Sequence, residues 1–145
     1  RDRATAFLLV AGPDEQVLDQ VEYLAEQMAV RRMPLRGVVM NRVHPLAVVE
    51  GVADDRPEEV AEALRGEVGE ALARLAATGT DALDRLARNF CLHQVRARGD
   101  ALRVEEFARG LPAGVPLVQV PNLPADIHDL AGLSALHPYL VGVGD

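Results

Sequence analysis

The chain has 145 residues, 49% of them hydrophobic, and a formal charge of −7 at pH 7. That is enough length for one domain with a buried core, and too acidic a balance for a nucleic-acid partner, which needs a basic footprint for the phosphates. Its 15 basic residues are all Arg, so no Lys-dependent chemistry (Walker A phosphate binding, Schiff bases, pyridoxal phosphate) can reside within it.

Aromatics are scarce: Phe7, Tyr23, Phe90, Phe107 and Tyr139 are all of them. Aliphatic side chains must therefore form the core. Phe7 to Ala11 is an uninterrupted apolar run stopped by Gly12-Pro13. Unbroken apolarity, as opposed to alternation, predicts a strand covered on both faces, as in a parallel sheet. Asp14 to Arg32 predicts a helix, with Val17, Leu18, Val21, Leu24, Ala25 and Met28 on one stripe. Asp14 and Glu15 sit at its positive end and Arg31 and Arg32 at its negative end, as the macrodipole favours. Gly37 to Met40 reads as a second buried strand ending at Asn41.

Asp55 is placed to cap a helix opening Pro57-Glu58-Glu59. Val60, Leu64, Val68, Ala71, Leu72 and Leu75 would form its apolar face. Thr78-Gly79-Thr80 breaks the pattern. Asp81 begins another helical stretch through Leu83, Leu86 and Phe90 toward Val95, and a short helix is expected around Val104 to Ala108. Val115 to Val120 reads as a third strand stopped by Pro121. Asp126 with Asp129 starts a last helix, with Ile127, Leu130, Leu133, Leu136 and Leu140 facing inward.

Strand, helix, strand, helical block, strand, helix is an α/β order with a parallel sheet. Three strands leave an open apolar edge, which suggests that the sheet continues in chain beyond this sequence. The opening Arg1-Asp2-Arg3, without Met, points the same way. Cys91 is alone, so neither a disulfide framework nor a cysteine zinc site is expected. In Phe90-Cys91-Leu92 it reads as a small buried hydrophobe. No run approaches the roughly 20 apolar residues of a membrane span and no secretory leader is visible. The sequence reads as cytoplasmic.

In open parallel sheets ligands bind beyond the carboxyl ends of the strands. There the sequence offers Ala11-Gly12-Pro13-Asp14, Asn41-Arg42-Val43-His44-Pro45 and Pro121-Asn122-Leu123-Pro124-Ala125-Asp126. Asn41 closes a strand of hydrophobes, where a carboxamide costs desolvation unless its groups are used. It either caps the strand-end backbone or pairs bidentately with adenine N7 and the exocyclic amine. Pro121 either ends its strand or supplies a flat wall for a base. Arg42 and His44 could reach phosphate or a partner chain, or simply meet solvent. His44, His93, His128 and His137 lack metal-site spacing. Cys91 and His93 are two apart on a helix and face different sides. Ser134 lies mid-helix, outside any nucleophile elbow.

Three segments resemble one known family. Leu35-Arg-Gly-Val-Val-Met-Asn41-Arg-Val-His44 is similar to the Asn-ending strand of the arsenite-pump and tail-anchored-protein-targeting ATPases, deviant Walker A P-loop NTPases. Leu117-Val-Gln-Val-Pro121-Asn-Leu-Pro-Ala-Asp-Ile127-His-Asp-Leu130 resembles their adenine loop and last helix. Thr5 through Tyr23 resembles the strand and helix after their switch II region. The Asn-Arg-Val-His-Pro phrasing is closest to the bacterial anion-transporting ATPases.

The resemblance covers roughly residues 5–45 and 115–140. It implies a P-loop NTPase-like half-domain, the C-terminal part of one nucleotide-binding α/β domain, with residues 46–112 as a mostly helical insertion. It implies that Asn41 and Pro121 hold adenine, with Asn122 and Leu123 as neighbours. ATP would be the ligand, with Mg and the triphosphate held by an N-terminal Walker A part. The implied partners are ATP or ADP, a second copy or a paralogue in a dimer, and a membrane-protein or client partner. The function implied for the parent is coupling of ATP binding and hydrolysis to anion transport or client-protein handling. The sequence departs from the family in carrying no Walker A loop, switch I aspartate, switch II motif, Cys-x-x-Cys clasp or arsenite-binding cysteines, so the segment alone is expected to be non-catalytic. The competing expectation is a P-loop-less dimerisation or scaffold module partnering an intact paralogous ATPase. A third is a flavodoxin-like regulatory domain. A Gly-Lys-Gly-Gly-Val-Gly-Lys-Thr loop upstream would separate the first two.

Overall fold

The computed structural model describes residues 5–47, 56–67 and 81–141. Its elements are β1 (Phe7–Ala11), α1 (Glu15–Val30), β2 (Leu35–Val43), α2 (Pro57–Glu67), α3 (Asp81–Gly110), β3 (Leu117–Pro121) and α4 (Leu130–Val141). The strands form one parallel sheet in the order β1-β2-β3. The chain is thus α/β, as expected. Asp55, the Thr78–Thr80 break and the inward positions Val68, Ala71, Leu72 and Leu75 lie outside the described residues, as does the side chain of Leu64.

Two compact units divide the chain, Leu46–Gly99 and the remainder. The sheet unit buries Ala11, Leu18, Val38, Met40, Val43, Val104 and Phe107 together. Strand side chains alternate between faces. The face carrying Leu9, Ala11, Val38 and Met40 therefore receives α1 and the last turns of α3. Over β1 the opposite face is open. Leu8 is 64% and Val10 66% exposed, which corrects the expectation that β1 is covered on both sides. An unbroken apolar run was read as two-sided burial, but among the described residues nothing lies over these two side chains.

The α1 stripe holds at Leu18 and Met28, with Val17 and Val21 packed on the core. Leu24 departs from it, 46% exposed. The helix ends at a pair of backbone bonds, Arg32 N–H to Ala29 O at 3.0 Å and Met33 N–H to Met28 O at 2.8 Å. Such a terminus places its first residue beyond the helix in the left-handed region, where Gly is usual. Here that residue is Arg32, with φ 54°.

The second unit packs Val60 and Ala61 of α2 against Ala87 and Cys91 of α3, with Phe90 alongside. The buried Gln94 holds the peptide of Ala47 from both sides. Its Oε1 accepts from Ala47 N–H at 3.0 Å, and its Nε2 donates to Ala47 O.

Helix α3 corrects the expectation of two helices. It is continuous over 30 residues, because one buried stripe runs through it: Leu83, Ala87, Cys91, Gln94, Ala97, Asp100, Val104 and Phe107. The stripe uses small and polar residues where a reading by bulk favoured Leu86, which is 47% exposed, and Val95, which is 61% exposed.

The last helix also differs. It begins at Leu130, capped by Asp129, whose Oδ1 accepts from Gly132 N–H at 2.7 Å; Asp126 lies before it. No residue of α4 is buried, and Leu130 is 84% exposed. Its leucines were expected inward because they are apolar, but the main contact of α4 among the described elements is with β3, too small a surface to cover them.

Candidate functional site

The second strand carries the chain to the site. Val38 and Met40 anchor β2 in the core at 1% and 0% exposure, so the residues that follow are held rigidly. The strand was expected to end at Asn41, yet it continues to Val43. Its pairing with β3 slips between Met40 and Val43, where Val43 meets Pro121. That irregularity is what frees Asn41 and Arg42 from the ladder. Arg42 adopts a left-handed backbone, φ 61°. Pairing resumes beyond them, with Asn122 N–H donating to Val43 O at 2.8 Å.

Asn41, Arg42, Pro121, Asn122 and Leu123 line one cavity of about 390 Å³, together with Asp126, Ile127 and Leu136. All four residues expected around a base therefore converge on one space at the carboxyl rim of β2 and β3. Small-molecule sites run from roughly 300 to 1,000 Å³, so the space suits a base or nucleoside better than a whole triphosphate. Its lining combines two carboxamides, Asn41 and Asn122, with a proline ring, aliphatic walls and one ion pair. The Asn41 oxygen accepts the Arg42 backbone N–H at 3.0 Å. A carboxamide oxygen has two lone pairs and its nitrogen two protons, so this local bond leaves donor capacity for a ligand.

The sequence offered Arg42 as a phosphate or partner contact or a solvated residue, but gave no sign of its pairing with Asp126. The Arg42 guanidinium lies 3.9 Å from the Asp126 carboxylate, both side chains about three-quarters exposed at 74% and 76%. Asp126 had been taken as a helix start. It lies in the irregular segment between β3 and α4, where Pro121 and Pro124 exclude a helix and the chain bends at Pro124 and Ala125.

A second polar cluster lies at the ends of β1 and β2. The Asp100 side chain is 6% exposed. Its Oδ2 accepts His44 N–H at 3.0 Å and lies 2.7 Å from the His44 ring Nδ1. Its Oδ1 accepts from Arg103 at 2.6 Å, and Arg103 Nε donates to Pro13 O at 2.7 Å. Burial alone would raise the Asp100 carboxyl, but the His44 backbone and ring and the Arg103 guanidinium outweigh it and hold the group below its ordinary value. The cluster ties the loops after β1 and β2 to α3, so it fixes the rim on which Asn41 stands. His44, offered as a phosphate or partner contact, is thus committed to Asp100.

Among the described residues no group of three or more His, Cys, Asp or Glu could hold a metal ion. Cys91 is buried in the second unit. No helix described is long and apolar enough to cross a membrane. The chain matches no protein-family model, and no curated protein is significantly similar to it.

Proposed function

We propose that the cavity at the rim of β2 and β3 binds the base of an adenine nucleotide, and that the chain is the C-terminal, base-binding part of a P-loop NTPase-like ATPase. The observation that carries this reading is the convergence of Asn41, Pro121, Asn122 and Leu123 on one space of about 390 Å³. The same four positions are those to which the resemblance assigns the base. Asn41 Nδ2 donates to N7, its oxygen's second lone pair accepts from the exocyclic amine, and Pro121 packs flat on the ring. The chain itself performs no phosphoryl transfer. That step needs cations on the transferring group, and the chain has no lysine. ATP, with Mg held by a Walker A part outside this chain, is the ligand of the assembled protein, and its hydrolysis drives anion transport or client handling.

A second reading, a dimerisation or scaffold module partnering an intact ATPase, is favoured by a different observation. Leu8 and Val10 on β1 and Leu130, Leu133 and Val141 on α4 are all more than half exposed, apolar side chains that a partner surface would cover.

The nucleotide reading is tested by titrating AMP and GMP against the wild-type chain and Asn41→Ala. One bidentate contact to a base edge discriminates by about 1–3 kcal/mol. Asn41→Ala is expected to weaken AMP more than GMP and narrow the preference. An unchanged ratio in a folded variant would leave Asn41 as a backbone cap alone.

A further inference from the structure

Arg42 holds a backbone conformation that an L-residue with a long side chain rarely adopts, φ 61°. Left-handed residues outside glycine persist where the surroundings impose them, and they gather at ligand sites. Two local contacts are available to explain this one. The first is the backbone bond to Asn41 Oδ1, which any residue at the position could make, glycine included. The second is the pair with Asp126 at 3.9 Å. Water and salt screen a pair so exposed, and its distance is long for a charge-assisted hydrogen bond. Neither contact requires arginine.

What the left-handed turn does achieve is placement. It brings the Arg42 side chain into the lining of the same cavity as Asn41 and Pro121, facing Asp126 across it. A cation so placed, and so weakly engaged, is ready to change partners. Among the described residues lining this cavity Asp126 is the one carboxylate, and it competes with an arriving anion for the guanidinium.

We propose that Arg42 is the anion-binding arm of this site, exchanging the Asp126 carboxylate for the phosphoryl oxygens nearest the sugar of a nucleoside 5′-phosphate. The inference rests on the base reading given above, and it adds which part of the ligand beyond the base this chain itself holds. An Arg guanidinium suits the task because it stays charged and can meet two phosphoryl oxygens at once. Asp126 keeps the arm positioned and tunes its affinity by competing with the phosphate.

The test compares adenosine with AMP on the 145-residue chain by isothermal titration calorimetry, at low and high salt. Wild type is expected to bind AMP on the order of tenfold more tightly than adenosine, an advantage that shrinks as salt screens the contact. Arg42→Gly and Arg42→Asn both tolerate the left-handed backbone and keep the N–H to Asn41. Each should bring the AMP-to-adenosine ratio close to one. Asp126→Asn removes the competitor and should widen it. If adenosine binds but AMP is no tighter, or the ratio survives both Arg42 variants, the proposal is overturned while the base reading stands. If neither ligand binds to the folded chain, the base reading fails and the proposal falls with it.

Discussion

The Arg42 backbone N–H donates to the Oδ1 of the residue before it, Asn41, at 3.0 Å. That bond uses one lone pair of the carboxamide oxygen and leaves its second lone pair and both protons of the nitrogen for a ligand. Asn41→Asp separates the two roles, because a carboxylate still accepts from Arg42 but donates nothing to a base. The variant should unfold within about 0.5 kcal/mol of wild type, as exposed-rim substitutions do. It should nevertheless lose about tenfold or more in AMP affinity, the order of one base-edge contact. Thermal unfolding and calorimetry on the same sample check both halves.

The absence of lysine yields a plain expectation for catalysis. The chain alone should release no phosphate from ATP above the buffer rate, with or without Mg, since it has no lysine for a Walker A loop to set on the transferring group. A colorimetric phosphate assay on the pure chain reads this. Turnover abolished by a single substitution within the chain would contradict it.

The Asp100 cluster predicts a pH dependence with a definite sign. The folded carboxyl titrates below its ordinary value. Its contribution is therefore complete above the ordinary carboxylate range, near pH 3.9, and is lost as pH falls through the folded value. Asp100→Asn, which weakens the contacts to His44 and Arg103, should cost about 1–3 kcal/mol at neutral pH. The gap between the variant and wild type should narrow below about pH 4. Denaturant unfolding at neutral pH and under acid conditions measures the gap directly.

Arg32 supplies a contrast to Arg42. Both are left-handed, at φ 54° and φ 61°, but Arg32 closes α1 and does not line the cavity. Glycine there removes the L-residue penalty of about 1–2 kcal/mol. Arg32→Gly should accordingly raise the unfolding midpoint and leave the AMP-to-adenosine ratio unchanged. A ratio that falls in Arg32→Gly would mean that the Arg42 effect is one of general charge.

The strands were legible because each is a short apolar run closed by Pro, Gly or a polar residue. β1 is read to its boundaries, Phe7–Ala11, and β3 lacks its first two expected residues and runs one further, to Pro121. The meeting of Asn41 and Pro121 was legible too, since parallel strands place their carboxyl ends on one rim. What escaped the sequence has a common cause: a residue's character does not say what stands opposite it. Leu130 is apolar and exposed, Asp100 is charged and buried, and the difference lies in partners distant along the chain, such as His44. Left-handed Arg42 carried no signal at all, because arginine is among the residues least expected there. The continuity of α3 was hidden because its buried stripe passes through the small and polar residues Gln94, Ala97 and Asp100 before it reaches Val104.

The most direct measurement is a two-dimensional 1H–15N spectrum of the chain followed through a titration with AMP. The Asn41 side-chain amide pair and the backbone amides of Arg42, Asn122 and Leu123 should shift together and saturably, and GMP should move the Asn41 pair less. Saturable binding that leaves these resonances in place, or that shifts residues of α1 and the end of α3 instead, would contradict the assignment of the β2–β3 cavity as an adenine site.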